Sequence, residues 1–238
     1  DTYGERNVLK DEDVVKVASH VLDRWILSRL GEVISEVTSR LDAYEIGEGA
    51  REIETLVDDL SKWYLRRSRR RFQKPENEDD LRVASSILQF VLFCISKLVA
   101  PFVPFFSEAL YFSLAKFSKG KNRGSVHLED WPSYGGKIDH DLIESMAEVR
   151  RIVSTGLALR ATLGIRVRQP LSSVKIKEKD RRFSGELADL IKDELNVKEV
   201  IFDSGIESGV EFDTKITSEL RNEGWRRELV RLVQDLRQ

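Results

Sequence analysis

The stretch IETLVDDLSKWYLRRSRRRF, residues 53–72, decides how the first part of this chain folds. Its apolar residues have the spacing of one helix face and are Ile53, Leu56, Val57, Leu60, Trp63 and Tyr64. Continued at about 100° per residue, that face leads to Arg67 and then Arg71. The helix must therefore leave the core near Leu65, or its arginines must meet anions.

Five arginines lie within residues 66–71, and three kinds of anion could neutralise them. These are the acidic segment ENEDD (76–80) of the same chain, a carboxylate surface on another domain, and the phosphates of a nucleic acid, which guanidinium groups bind in pairs of hydrogen bonds. A charge run is ordinarily a solvated or internally paired face. This run alternates with neither lysine nor glutamate, which favours phosphate.

Composition makes any nucleic-acid surface a local one. The 238 residues carry a formal net charge of −2, with 41% hydrophobic and 34% charged residues, as in a soluble globular protein.

A second basic tract lies between Glu148 and Glu178, where no acidic residue occurs. Its cations are Arg150, Arg151, Arg160, Arg166, Arg168, Lys175 and Lys177. An anionic partner explains this tract, and exposed cations guarding an edge strand are the alternative.

Periodicity predicts a mainly α protein: a helical bundle over residues 1–165, followed by a small α/β domain over residues 166–238. Pro101, Pro104 and two charges interrupt the apolar segment 87–117, so it is interpreted as two core helices, not a membrane span. SKGKNRG (118–124) is expected to be a surface loop. Predicted helices cover residues 21–41, 46–72, 80–100, 102–116, 139–163, 185–195 and 218–237, and extended segments cover residues 126–132, 164–178, 196–202 and 210–216.

The chain shows no catalytic constellation. It contains no phosphate-binding glycine loop and no nucleophile motif, and its paired carboxylates are adjacent rather than convergent. Three scattered histidines and one cysteine predict no metal site. Cys94 is expected to fill the core in a reducing cytosol. The start DTYGERNVLK shows neither a basic nor an apolar region, so no secretory signal is expected, and a piece of a longer chain is expected instead.

Several motifs resemble, in order and spacing, the C-terminal part of the isoleucyl-tRNA synthetases, a class I family. The most specific is the arginine run, since related valyl and leucyl enzymes resemble the bundle but not this run. The motifs are DRWILSRL (23–30), LSKWYLRRSRRRF (60–72), KLVAPFVPFFSEALY (97–111), SVHLEDWP (125–132), IRVRQPLS (165–172) and EGWRRELVRLVQDLR (223–237).

The resemblance implies an anticodon-binding bundle and small α/β domain that hold tRNA(Ile) for an upstream catalytic domain. That domain, with its HIGH and KMSKS signatures, and the editing domain are absent from this chain. The parent is expected to be a cytoplasmic isoleucine–tRNA ligase using ATP and magnesium, whereas this chain is expected to need no cofactor and to be non-catalytic. Expected partners are tRNA(Ile) and the parent's catalytic and editing domains, with no membrane and no DNA.

The hypothesis for the site combines both basic tracts. Arginines can bind the phosphates of an anticodon stem and stack on the splayed bases of its loop. The predicted contacts are Arg66, Arg67, Arg70 and Arg71, with Arg166 and Arg168 as a second contact. The alternatives are a helical domain whose arginines dock on the catalytic domain or pair with ENEDD, a protein-interaction scaffold, and a free-standing enzyme. Base stacking by Trp63 and Tyr64 is a further possibility, against which their apolar face favours core packing.

Overall fold

The computed structural model describes residues 11–75, 77–116, 124–177, 183, 185–207 and 209–236, without the side chains of residues 11 and 12. Contacts divide the chain into two compact units, Asp1–His140 and Asp141–Gln238. The predicted fold class, a helical bundle followed by a small α/β part, is confirmed. The predicted domain boundary between residues 165 and 166 stays a prediction, although contacts group the helix over residues 140–162 with the second unit.

The first unit is built from amphipathic helices around an apolar core. The predicted apolar face of α2, the longest helix of this unit, is buried at Leu22, Trp25, Ile26, Leu30 and Val33. Burial of this face drives the packing of the helix against its neighbours. The helices are α1 (Asp11–Val17), α2 (Val21–Asp42), α3 (Ile46–Asp58), α4 (Arg66–Gln73), α5 (Glu78–Leu98) and α6 (Pro104–Ala115).

Helices α3 and α4 are joined by a π-helical segment, Asp59–Leu65, so the predicted helix over residues 46–72 is continuous but not uniformly α-helical. A π-helical turn contains an extra residue and shifts every later position around the axis. Ser68 of α4 is consequently fully buried, and Arg71, almost one turn later, is partly buried.

The acidic segment after Pro75 begins helix α5, as predicted. The Asn77 side chain accepts a hydrogen bond from the Asp80 backbone N–H at 2.7 Å, and three acids occupy the first turn, where the helix dipole favours them. By length and composition α5 could cross a membrane, but it supplies core residues here, among them Ile87, Val91 and Cys94.

The segment expected to be extended over residues 126–132 begins instead with a short 3-10 helix, Val126–Leu128. The cause is local capping: the Ser125 hydroxyl accepts from His127 N–H, and Glu108 accepts from Val126 N–H at 2.8 Å. The predicted loop over residues 118–124 lies outside the described residues except for Gly124.

The second unit contains a mixed three-stranded sheet and helices α7 (His140–Thr162), α8 (Gly185–Leu195) and α9 (Ser218–Asp235). The strands are β1 (Leu171–Lys177), β2 (Val197–Asp203) and β3 (Val210–Phe212). Strand β1 pairs in parallel with β2 through the α8 crossover and antiparallel with β3. Leu171, Val174 and Ile176 of β1 are buried and form the centre of this core.

Strand β1 is shorter than the predicted extended segment over residues 164–178. Residues before Pro170 form a turn in which the Gln169 N–H donates to the Arg166 carbonyl at 3.0 Å. The prediction of a strand from the alternating pattern of IRVRQ is therefore wrong. The main-chain carbonyls of this turn bind side chains of the unit and do not pair with a neighbouring strand.

Candidate nucleic-acid interface

The arginine run on α4 is held in direction by the packing of the turns before it. Trp63 and Tyr64 are only 9% and 0% exposed, so the predicted core packing of both rings is confirmed. Leu65 and Arg66 have right-handed helical backbone angles, so the helix continues directly from the core into the run. The direction of each arginine therefore follows from the helix.

Arg71 is bound by two carboxylates inside the first unit. Its Nη1 and Nη2 donate to Asp23 at 2.7 and 2.9 Å, and its Nε and Nη2 donate to Asp80 at 2.9 and 2.6 Å. Its side chain is 12% exposed and that of Asp23 is 0% exposed. Burial alone would lower the pKa of Arg71, but the hydrogen bonds with Asp23 and Asp80 outweigh it and raise this pKa above its ordinary value.

Tyr64 completes this cluster of Asp23, Tyr64, Arg71 and Asp80, of which only Asp80 is substantially exposed. The Tyr64 hydroxyl donates to Asp23 Oδ1 at 2.9 Å. Burial, and then the negative charge of Asp23, raise the pKa of Tyr64 well above its usual range. The phenol is therefore a neutral donor that helps to satisfy the buried carboxylate.

The other predicted contacts of the run differ from Arg71. The side chains of Arg66 and Arg70 are exposed, and that of Arg67 is half-buried. Arg66 Nε donates to the Lys62 carbonyl at 2.9 Å, and its guanidinium carbon lies 5.9 Å from the centre of the Trp63 ring. Contact of these arginines with tRNA stays a prediction, and a phosphate bound by Arg71 would have to displace carboxylates already in place.

Sequence reasoning named the pairing with ENEDD as an alternative, and Asp80 of that segment does bind Arg71. It missed Asp23, which is 48 residues away from Arg71. One feature of the sequence could have indicated a buried acid. Asp23 follows the buried Leu22 and lies one turn before the buried Ile26, on a helix face that is otherwise apolar.

The second predicted contact lies on the turn before β1 in the second unit. The side chains of Arg166 and Arg168 are 82% and 52% exposed, and both face Glu228 of α9, at 4.0 and 3.4 Å. Ion pairs this exposed contribute little to stability. The two guanidinium groups, with Gln169, line one side of a cavity of about 450 Å³, whose other side is Trp225, Leu229 and Leu232 of α9.

The acid-poor tract does not act as one surface. Arg151 forms two hydrogen bonds to Glu148, Lys175 pairs with Asp203, and Arg160 is fully buried. The edge-strand explanation for its lysines is wrong, because β1 is the central strand of the three that the structure describes. Arg166 and Arg168 remain the exposed arginines that the turn presents.

Within the described residues, no group of histidine, cysteine or acidic side chains is arranged to hold a metal ion. Each unit presents exposed guanidinium groups, Arg66 and Arg70 in the first and Arg166 and Arg168 in the second, and groups of this kind can bind anions.

Comparison with known proteins assigns this arrangement to a family. Residues 23–176 match the family model described as the anticodon-binding domain of tRNA ligase, which covers both the arginine run and the turn carrying Arg166 and Arg168. The isoleucine–tRNA ligase of Clostridium tetani is 39% identical over 201 residues, and that of Clostridium acetobutylicum is 40% identical over 200 residues. The enzyme of Treponema denticola is 38% identical over 213 residues.

These alignments cover most of this chain but little of each relative. They include 84% of the chain for the two clostridial enzymes and 87% for the treponemal one. In each case the chain spans 19% of the length of the relative.

Proposed function

The chain belongs to the anticodon-binding domain family of tRNA ligases, and from that membership we propose that it is the tRNA-binding region of an isoleucine–tRNA ligase. In this proposal the chain binds the anticodon arm of tRNA(Ile) and holds that arm at a fixed distance from a catalytic domain elsewhere in the parent protein. The observation that carries the proposal is the extent of similarity to isoleucine–tRNA ligases, 39% identity over 201 residues.

The two surfaces support this role in physical terms. Exposed arginines on a rigid helix and on a turn suit the regularly spaced phosphates of an A-form stem. Such contacts supply affinity that falls steeply with salt. The cluster of Asp23, Tyr64, Arg71 and Asp80 supports the fixed direction of α4, since a helix held by buried hydrogen bonds presents its neighbouring arginines with little freedom.

The parent would perform the chemistry. By the same proposal its catalytic domain uses ATP and magnesium to attach isoleucine to tRNA(Ile), an editing domain accompanies it, and the protein acts in the cytoplasm. The residues of this chain would bind and orient the tRNA without taking part in bond formation.

A second role has an observation in its favour. Arg71 pairs with Asp80, as expected if the run serves internal docking. This ion pair joins one arginine of the run on α4 to the first turn of α5. The alternative would extend it to docking of Arg66 and Arg70 on the parent's catalytic domain.

Binding of the 238-residue chain to an isoleucine tRNA, at two salt concentrations, tests the proposal. The same tRNA with a changed anticodon is the specificity control. We expect salt-sensitive binding that prefers the native anticodon. Binding without preference would leave the arginines as phosphate ligands only, and absence of binding at low salt would contradict the proposal for this chain.

A matched pair of double variants tests the arginines themselves. Arg66→Ala/Arg70→Ala removes two exposed cations from α4. Arg40→Ala/Arg51→Ala removes a half-buried cation from α2 and an exposed cation from α3, each of which pairs with a glutamate. Net charge changes equally in both. We expect only the first to weaken binding and to reduce the slope of log affinity against log salt by about 0.9 for each lost phosphate contact.

A further inference from the structure

Arg160 of α7 is a fully buried arginine that the proposed contacts do not use. Its side chain is 0% exposed, and no carboxylate among the described residues pairs with it. Burial lowers the pKa of Arg160 to about 10, so the group is still charged at neutral pH. Burying a charge without a counter-ion is unfavourable unless hydrogen bonds replace its lost water.

Those hydrogen bonds all go to main-chain carbonyl groups around the turn before β1. Nη1 donates to the carbonyls of Arg166 and Gln169 at 2.9 and 3.0 Å, and Nη2 donates to those of Gln169 and Asn196 at 3.0 and 3.3 Å. The guanidinium carbon also lies 5.3 Å from the centre of the Phe212 ring. One side chain thus binds both ends of the turn Arg166–Gln169.

Asn196 binds the middle of the same turn. Its Nδ2 donates to the Val167 carbonyl at 2.8 Å, and its backbone has a φ of 49°, a left-handed conformation that asparagine tolerates. Its carbonyl also accepts from Leu171 N–H at 3.1 Å. Carbonyls at positions 166, 167 and 169 are therefore all bound by side chains of the unit.

The exposed side chains of the turn contrast with its bound carbonyls. Arg166 and Arg168 are 82% and 52% exposed. We infer that Arg160 is a positioning residue for tRNA binding, which holds the turn Arg166–Gln169 so that the guanidinium groups of Arg166 and Arg168 face a phosphate of the RNA. This inference rests on the proposed function, and it names the residue that fixes one of its two surfaces.

Arginine suits this role because of its shape. The planar guanidinium presents five donors in a rigid fork, whereas the ammonium of lysine is a compact point with three donors on a flexible stem. A lysine at position 160 would keep the charge but could not bind carbonyls at both ends of the turn with the same geometry. The turn would gain freedom, and tRNA binding would have to restrict it.

The test is a double-mutant cycle on tRNA affinity in the 238-residue chain. Arg160→Lys is measured in the unchanged chain and again with Arg166→Ala/Arg168→Ala. Arg151→Lys, the same exchange at an exposed site of α7, is the control. We expect Arg160→Lys to weaken binding of an isoleucine tRNA severalfold in the unchanged chain, and to have no further effect in the double variant. A general loss of structure would weaken binding equally in both backgrounds and would overturn the inference.

Two further outcomes would also overturn it while leaving the proposed function intact. One is unchanged affinity in Arg160→Lys, and the other is unchanged affinity in Arg166→Ala/Arg168→Ala, since the turn would then not contact RNA. If the unchanged chain did not bind tRNA at all, the proposed function itself would fail.

A second variant covers the case in which Arg160→Lys does not fold. Asn196→Gly keeps the left-handed backbone favourable and removes both the donor to the Val167 carbonyl and the acceptor of Arg227 Nη1. We expect the same pattern, a severalfold weakening that disappears when Arg166 and Arg168 are alanine. Additive losses would contradict the positioning role.

Discussion

Each compact unit contains an arginine that is nearly or completely buried, and the two arginines have opposite surroundings. Arg71 in the first unit meets the carboxylates of Asp23 and Asp80, and its pKa is raised. Arg160 in the second unit meets only carbonyl groups and an aromatic ring, and its pKa is lowered. The same side chain is an ion-pair partner in one unit and a main-chain ligand in the other.

The difference shows why a count of arginines does not identify a ligand surface. Arg71 lies in the densest basic run of the chain, yet its donors are already used inside the fold. Arg166 and Arg168 lie in a sparser tract, yet they are exposed because a third arginine, Arg160, holds their backbone. The burial and the partners of each guanidinium group decide its role, and the spacing of arginines in the sequence predicts neither.

The largest effect should come from removing Arg71. In Arg71→Ala, the carboxylate of Asp23 stays buried without its cation, and we expect a loss of about 3 kcal/mol in the free energy of unfolding. Urea denaturation measures it, with Arg69→Ala, an exposed position of the same helix, as the control. Equal losses in the two variants would show that the buried ion pair is not important for stability.

Removing Arg160 should cost less, although this residue is the more buried of the two. Arg160→Met leaves three carbonyl groups with a lost donor but leaves no isolated charge, so we expect a loss of about 1–2 kcal/mol. Urea denaturation of both variants under one set of conditions gives the order. A larger loss for Arg160→Met than for Arg71→Ala would reverse the comparison.

A smaller effect, a gain in tRNA affinity and not a loss of stability, is expected from a change at Glu228, which faces both Arg166 and Arg168. Glu228→Gln removes the anion that competes with RNA phosphate, so tRNA affinity should rise severalfold at low salt and less at high salt. Glu223→Gln on the same helix, whose carboxylate pairs with Lys198 and Arg227, is the matched control. Unchanged or weaker binding in Glu228→Gln alone would argue against a phosphate at this turn.

The smallest effect concerns the ionisation of Tyr64. Its native pKa lies well above the ordinary value of 10.0, so between these two values the unfolded chain loses a proton that the native chain keeps. Stability from this group is therefore complete below the ordinary pKa and falls as the pH rises through this range. Near-ultraviolet absorbance should show the same number of phenolates in the native chain and in Tyr64→Phe at each pH before alkaline unfolding. One extra phenolate in the unchanged chain near its ordinary pKa would contradict the buried hydrogen bond to Asp23.

The periodic parts of the molecule could be predicted from sequence because one burial pattern sets each of them. Helix α8 has the predicted bounds, residues 185–195, and the apolar face of α2 is buried as expected. Strand β3 ends at Phe212, short of the predicted residue 216, since its pairing with β1 covers only three positions.

The predictions failed where the partner is remote in sequence. Pairing of Arg71 with Asp23 and binding of the turn by Arg160 and Asn196 depend on how distant elements pack. The sequence shows Arg160 only as one more cation of a basic tract. Its burial follows from the fold of the whole second unit, which local spacing does not specify.

The π-helical segment Asp59–Leu65 also makes the chain sensitive to length at one place. If this segment wound as a regular α-helix without a change of length, every later position of the run would rotate by about 100° around the axis, and Arg71 would turn away from Asp23. Deleting a single residue there would instead remove the extra residue of the π-helical turn and leave the later positions facing as before. The direction of the arginines can therefore survive the loss of one residue from this segment, whereas the gain of one would turn another arginine toward the core.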